Sequence, residues 1–526
     1  MNTPENDPAA QSEIAIPWAE PGYSIDIAVK ELLLACGLRP RDALFTQCVN
    51  DYGVLPTRLQ IGRAAAASVA AFSEVLMQIA QQRGMPCEKS TIDIQHCELL
   101  MMGALAEKVN NHGLFRRMCA PSELRELSRL GILKATPFMT IQKTADRKWI
   151  HTHGNFNCEP IQRTLQCQAN AISIKRAVNQ RRSHELEQSC ANNGAIAAIV
   201  RTPNEWAQHP HGANLLNSPI LEVEKIADGA PQSFTPTEGA PLSGIRVLDL
   251  TRVLAGPACS RILSQFGADC LKVIAPHLPY YPFFAKIENM GKRSAYLNLK
   301  ETIDRKKLTN LSESGDVFVT SYRYGALNKY GFGPKQIATN NPKGIIYVSV
   351  NCYGPGPWNA RPGYDSLAQA ATGYAMAHSG FQNASNGKPQ LVPMSAPNDY
   401  ITAYLAALGA LAGLQRRAQE GGSFHVKVSL AQAAMYQMKF GYRDMPKSQA
   451  GKLQKRLNSI INGVSPSKVD LNIFTLAQRY MQRQHSAFGP IDCFTSPIHF
   501  SNPSIHAHYR HPSVPFGTHE ACWESD

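Results

Sequence analysis

Several things are missing from this 526-residue chain, and each absence removes a class of function. No two of its thirteen cysteines stand as Cys-x-x-Cys. That argues against a zinc ribbon, and the odd count argues against a disulfide scaffold, so a reducing compartment is expected. The first 24 residues hold no Lys or Arg, so neither a secretory nor a mitochondrial presequence is expected, and a cytoplasmic location is. The longest apolar stretch, near 401–414, is interrupted by Gly409 and Gly413 and is too short for a bilayer, so no membrane partner is expected. There is no Gly-x-x-x-x-Gly-Lys-Ser/Thr, since Gly291-Lys292-Arg293-Ser294 lacks its upstream glycine. No Gly-x-Ser-x-Gly elbow occurs, and Gly331-Phe332-Gly333 lacks the rest of a dinucleotide fingerprint. His151, His153 and Cys158 form one histidine-rich run, and His506, His508 and His511 another. Neither has a carboxylate or second cysteine to complete a shell, so no metal is expected.

What is present is a large apolar fraction, 44%, with 18% charged residues, a composition for a well-packed core. The net charge of +13 is uneven. Residues 1–240 carry 23 basic and 24 acidic residues, residues 241–440 carry 21 and 10, and the remaining 86 carry 9 and 6. The excess of +11 in the middle segment suits a polyanion. Its Lys and Arg are scattered singly without aromatic stacking motifs, which favours a small phosphorylated ligand over nucleic acid.

Pattern divides the chain into a polar tail (1–24), a mainly helical half (25–226), a Pro/Gly/Ser/Thr-rich linker (227–242), an alternating strand–helix half (243–440) and a C-terminal extension (441–526). The segments 244–250, 269–275, 294–299, 316–321 and 344–350 read as short buried strands with helices between them. This predicts a doubly wound parallel α/β sheet, with ligands beyond the carboxyl ends of its strands. In the first half, 91–94, 149–153 and 197–202 read as strands. Residues 62–96 also echo 398–432 as an Ala-rich helix, a Gly-containing turn and a strand, an echo that puts Arg63 or its neighbour where Asp399 stands.

The stretch LSGIRVLDLTRVLAGPACSRILSQFGADCLKVIAPH, followed by MGKRSAYLNLK, resembles the entry segment of the family III CoA-transferases. The resemblance continues through 316–334, 341–373 and 393–434, nearly 200 residues in family order. Residues 144–156 and 199–212 are similar to the family's second half, and 496–523 to the end of its long forms. The family order is thus rearranged or duplicated, with the first half a degenerate partner. The same fold hosts α-methylacyl-CoA racemase.

The resemblance implies the following roles. Asp399, read from its place before an apolar run as a helix N-terminal or N-cap residue, matches the aspartate that attacks the acyl-CoA thioester; a helix N-terminus would hold it ionised. Val253, Leu254 and Ala255 match the backbone that lines pantetheine and adenine. Leu297 and Lys300 match an adenine and a phosphate contact. Ser321 and Tyr322 stand where the family has Asn-Phe, and Lys329 where it has Arg, which keeps the charge and loses the bidentate fork. Ala275 and His277 depart from an acidic-then-basic pattern. Tyr364-Asp365 replaces the racemases' His-Asp; a phenol with an ordinary pKa near 10 is a poor base at neutral pH, so transfer is favoured. Acyl-CoA and a free carboxylic acid are the implied substrates, and a homodimer or an internal pseudo-dimer the implied assembly. The alternatives are an acyl-CoA isomerase and an inactive acyl-CoA-binding relative.

Overall fold

The computed structural model describes residues 14–55, 57–379, 389–392, 396–444 and 472–524. Most of the expected N-terminal tail, Ser395 and the bulk of 445–471 lie outside the described residues. In the first half the strands are β1 (Thr46–Val49), β2 (Ser90–Asp93), β3 (Lys108–Val109), β4 (Thr140–Lys143), β5 (Trp149–His153), β6 (Ile196–Ile199) and β7 (Glu222–Ala227). The second half adds β8 (Arg246–Leu250), β9 (Asp269–Ile274), β10 (Lys292–Tyr296), β11 (Val317–Thr320), β12 (Ile346–Asn351) and β13 (Ser423–Ser429). The C-terminal part supplies β14 (Met481–Gln484), β15 (Ile491–Phe494) and β16 (Ile498–Phe500).

The large sheet has the order β10-β9-β8-β11-β12-β13-β7. β8 to β13 are parallel, as their continuous apolar runs predict for strands buried on both faces. The seventh strand, β7, is antiparallel and comes from the first half, so the sheet is mixed rather than wholly parallel. Alternating residues serve two cores. Val247, Val319, Val348 and Val426 pack with the helices Ala255–Gln265 and Pro397–Glu420. Leu248, Phe318 and Tyr347 pack with Leu308, Leu311 and Ile337 of the helices on the opposite face.

Gly409 and Gly413 do not break the helix Pro397–Glu420; they let it lie on the sheet, because a Cβ at either would strike Val426 or Ile346. Its partner across the core is the helix Ile61–Gln82, which by length and composition could cross a membrane, yet 89% of that window is buried inside the protein. One apolar cluster runs from Ile16 to Ile498 and joins both halves. The segment read from sequence as a linker, 227–242, begins with the last residue of β7 and runs between the halves; Arg83 pins it by donating to the carbonyls of Thr235 and Pro241, and of Ser243 just beyond.

Candidate active site

The carboxyl end of β8 is held by a buried charge network. Asp249, Lys272 and Lys292 are all at most 1% exposed. Both ammonium groups lie 2.9 Å from the Asp249 carboxylate. They also donate to the carbonyls of Thr251 and Pro257, which flank the turn 252–256. Two cations on one anion is a costly arrangement in a core unless every donor is used. Here each donation fixes the turn. Within it Val253 has φ +75°, a left-handed conformation that a β-branched residue adopts only under constraint. The turn ends at Leu254, the N-cap of the helix Ala255–Gln265, and the backbone N–H of Ala255 lies near enough to the Asp399 carboxyl to favour its ionised form.

Asp399 is the third residue of its helix; the N-cap is Ala396, whose side chain cannot accept a hydrogen bond. Of the two places expected for Asp399, helix N-terminal or N-cap, it takes the first-turn one. The capping is done from outside: Asp365 accepts from the backbone N–H groups of Asn398 at 2.9 Å and Asp399 at 3.2 Å. Gln369 donates to the other Asp365 oxygen at 2.5 Å and accepts from the Val392 N–H. Gln437 donates to Asn398 Oδ1 and accepts from the Tyr374 hydroxyl, closing a shell under the helix start.

This arrangement overturns the expectation that the helix dipole holds Asp399 ionised. Asp399 is 9% and Asp365 8% exposed. Burial, and then the Asp365 charge, push the Asp399 carboxyl well above the usual carboxylate range; the Ala255 N–H opposes this only in part. Burial raises Asp365 to about 6, with Gln369 and the two helix amides opposing it. Having more donors, Asp365 is the partner that ionises more readily. A second acid, Glu288, is raised by burial to about 7 despite Arg261, whose Nε lies 3.1 Å away.

The first half contacts both sequence neighbours of Asp365, Tyr364 and Ser366. His153 stacks on Tyr364, with ring centroids 4.4 Å apart. The Tyr364 hydroxyl donates to Asn155 Oδ1, and His151 Nε2 lies 2.9 Å from the Ser366 hydroxyl. Burial pulls His151 to about 4 and His153 to about 3, so both rings are neutral at pH 7. Burial also raises the Tyr364 phenol. Arg252 lies over the rings of both Phe156 and Tyr322, linking the two halves at the mouth of the site.

The structure therefore gathers Val253, Leu254, Ala255, Tyr364, Asp365 and Asp399 in one place. Ser321 joins them by accepting from the Arg252 N–H at 2.8 Å. Tyr322 borders a cavity of about 250 Å³ at the carboxyl edge, with Arg323 and Thr320 also in its wall. Leu297 is buried in the second core, and Lys300 and Lys329 are exposed beyond β10 and β11. None of these three makes a hydrogen bond or ion pair to the carboxylates among the described residues. Asn155, Phe156, Arg252 and Glu288 were not singled out from the sequence. The one available signal for the first two was their place in the family-like stretch 144–156. Among the described residues no three His, Cys, Asp or Glu side chains gather as a metal site.

The strained turn at Val253 and the buried pair Asp365 and Asp399 thus lie together beside the α/β sheet. Residues 242–482 match the family described as CoA-transferase family III, so the resemblance seen in the sequence stands. An acyl-CoA transferase of Gibberella moniliformis is 37% identical over 49% of this chain and 47% of its own length. A formyl-CoA:oxalate CoA-transferase of Streptomyces coelicolor is 32% identical over 41% of this chain and 54% of its own. The chain thus spans about half of each. An acetyl-coenzyme A transferase of Hypoxylon pulicicidum is 26% identical over more of both, 78% of this chain and 75% of that protein. Among solved structures, Rv3272 of Mycobacterium tuberculosis is 29% identical, with a TM-score of 0.35, over 42% of this chain and 59% of that one.

Proposed function

We propose that the protein is a CoA-transferase that moves CoA between carboxylic acids, with Asp399 as nucleophile. The observation that carries this reading is the placement of Asp399: a buried carboxyl facing the Ala255 N–H of a braced turn, within a segment matching CoA-transferase family III. Ionised Asp399 attacks the thioester carbonyl, the C–S bond breaks, and a mixed anhydride and CoA thiolate form. The thiolate attacks the aspartyl carbonyl, releasing the first acid and leaving an aspartyl-CoA thioester. The acceptor carboxylate then attacks that thioester, and the returning thiolate takes the new acyl group and frees Asp399.

The buried site favours this order of events by excluding water from the anhydride. Asp365 holds the helix start and, when ionised, makes Asp399 harder to ionise. Lys300 and Lys329 are proposed to meet the phosphates of CoA from the exposed edge, with Val253 to Ala255 along its pantetheine arm and Leu297, Ser321 and Tyr322 toward the adenine. A cytoplasmic setting belongs to the same reading, supported by thirteen cysteines that are all free thiols.

The isomerase reading needs a base beside Tyr364. The nearest imidazole, His153, already accepts from the Asn155 N–H through Nδ1 at 2.9 Å, and its low basicity leaves it a weak proton acceptor. The test is to incubate the protein with acyl-CoA and trap with hydroxylamine. An Asp399 hydroxamate found by mass spectrometry, and absent from Asp399→Ala, supports transfer. Deuterium uptake at the α-carbon without acid exchange would sink it, as would binding of acyl-CoA with neither outcome.

A further inference from the structure

The small sheets of the first half repeat the large sheet in miniature. The three-stranded sheet β1-β2-β16 has β1 parallel to β2 and β16 antiparallel to β2. The last three strands of the large sheet, β12-β13-β7, show the same pattern: β12 parallel to β13, β7 antiparallel to β13. The elements between the strands agree in order. β1 leads to the long Ala-rich helix Ile61–Gln82, then β2, then the helix Ile94–Leu100. β12 leads, after a longer excursion, to the long Ala-rich helix Pro397–Glu420, then β13, then the helix Leu430–Lys439. The short helices are even capped alike: Asp93 accepts from the N–H three residues on, that of His96, at 3.0 Å, and Ser429 accepts from that of Gln432 at 3.2 Å.

Sequence agrees where the geometry does. Val49-Asn50-Asp51-Tyr52-Gly53 leaves β1, and Val350-Asn351-Cys352-Tyr353-Gly354 leaves β12. Ser218-Pro219-Ile220 precedes β7, and Ser496-Pro497-Ile498 leads into β16. Each set of elements is followed by an antiparallel hairpin, β4–β5 in the first and β14–β15 in the second. The closing strands are exchanged. β7 ends the first set yet pairs with β13 of the second, and β16 ends the second yet pairs with β2 of the first. The hairpins cross over as well: β5 faces Tyr364 and Ser366, while Tyr480, beside β14, stacks on His96 at 4.5 Å.

We infer that residues 46–226 and 243–500 are two copies of one unit, interlocked in a single chain by exchange of their closing strands, and that only the second copy keeps a ligand site. The first copy has no counterpart of β8 to β11. Its connection from β1 to the long helix is 50–60, against 352–396 in the second copy, so the segment bearing Tyr364 and Asp365 is gone. Arg63 stands at the Asp399 position, ion-paired to Asp51 at 2.6 Å. What the first copy retains is the sheet β4-β5-β6, whose His153 and the following Asn155 hold Tyr364, the neighbour of the second copy's Asp365.

The one-site part of this inference rests on the CoA-transferase reading, and the strand exchange does not. Two measurements on the full chain separate them. Calorimetric titration with coenzyme A is expected to give one equivalent per 526-residue chain, unchanged within twofold in affinity by Arg63→Ala. Two equivalents would overturn the one-site assignment, and no binding at all would sink the transferase reading instead. Thr91 and His499 are paired across β2 and β16. The double variant Thr91→Cys/His499→Cys, oxidised and digested, is expected to give a cross-linked peptide joining positions 91 and 499 within one chain. A folded variant, judged by an unchanged thermal melt, that yields no such peptide would overturn the exchange.

Discussion

Asp365 accepts from the backbone amides of Asn398 and Asp399 that open the helix Pro397–Glu420, so these helix N-terminal amides serve Asp365 and not the Asp399 carboxylate. The consequence is an asymmetric pair. Asp365 has three donors and a pKa near 6, while Asp399 is pushed well above the usual carboxylate range by burial and the Asp365 charge. Asp399 is thus the harder of the two carboxyls to ionise, and in the proposed mechanism substrate contacts must favour its charged form.

The pH dependence of turnover follows. The proposed mechanism needs Asp399 ionised, so kcat/KM is expected to rise with pH through an apparent pKa above the ordinary carboxylate value of about 4. Asp365→Asn removes the repelling charge and should move that limb to lower pH, even if the maximum falls. A limb that stays in place would show that Asp365 does not set it.

Stability should run the opposite way. Both carboxyls have folded pKa values above their unfolded ones, so the folded state holds more protons over that window. The Asp365 contribution is full below about pH 4 and is lost as pH rises through about 6, and the Asp399 contribution is lost in the same direction as its own raised pKa is passed. For Asp365 the shift from 3.8 to about 6 corresponds to about 3 kcal/mol. Asp399→Asn should thus abolish turnover yet raise the melting temperature at pH 8, with little gain at pH 4. An equal gain at both pH values would contradict this account.

Asp249→Asn is expected to be the most damaging change at the turn. It leaves two buried ammonium groups facing each other with no counter-ion, a class of change that costs about 3–5 kcal/mol. Urea denaturation should show the loss directly. A variant with near-native stability would mean that the two lysines are not both charged.

Val253→Gly tests the strained turn. Glycine adopts φ +75° without the penalty of roughly 1–3 kcal/mol carried by other residues, so stability should hold or improve. Releasing the turn also frees the Ala255 N–H from its aim at Asp399, and kcat should fall more than KM rises. Full activity in a stabilised variant would remove the turn from the mechanism.

Tyr364→Phe keeps the ring stack on His153 and removes one hydroxyl, leaving Asn155 Oδ1 without that donor at a cost of about 1–3 kcal/mol. If Tyr364 only positions, transfer should drop no more than roughly tenfold. A collapse of several orders of magnitude would give the phenol a chemical role.

Much of this protein is legible in its residues alone. The doubly apolar runs at β8, β9, β11 and β12 specify parallel strands because strands covered on both faces have no polar side to show, and the Asp399 segment reads as the start of a buried helix. Local sequence could not reveal which partner would claim the amides at that start. Asp365 lies 34 positions away and reaches them only after β12, its long excursion and the helix have packed. The same holds for His153 and Asn155, which meet Tyr364 across more than 200 positions, and for the antiparallel β7, whose six residues look like any edge strand until they pair with β13. Composition and periodicity act within a few residues of themselves. The charge state of Asp399 is set by dielectric and by neighbours brought in from far along the chain, and only the tertiary structure decides those.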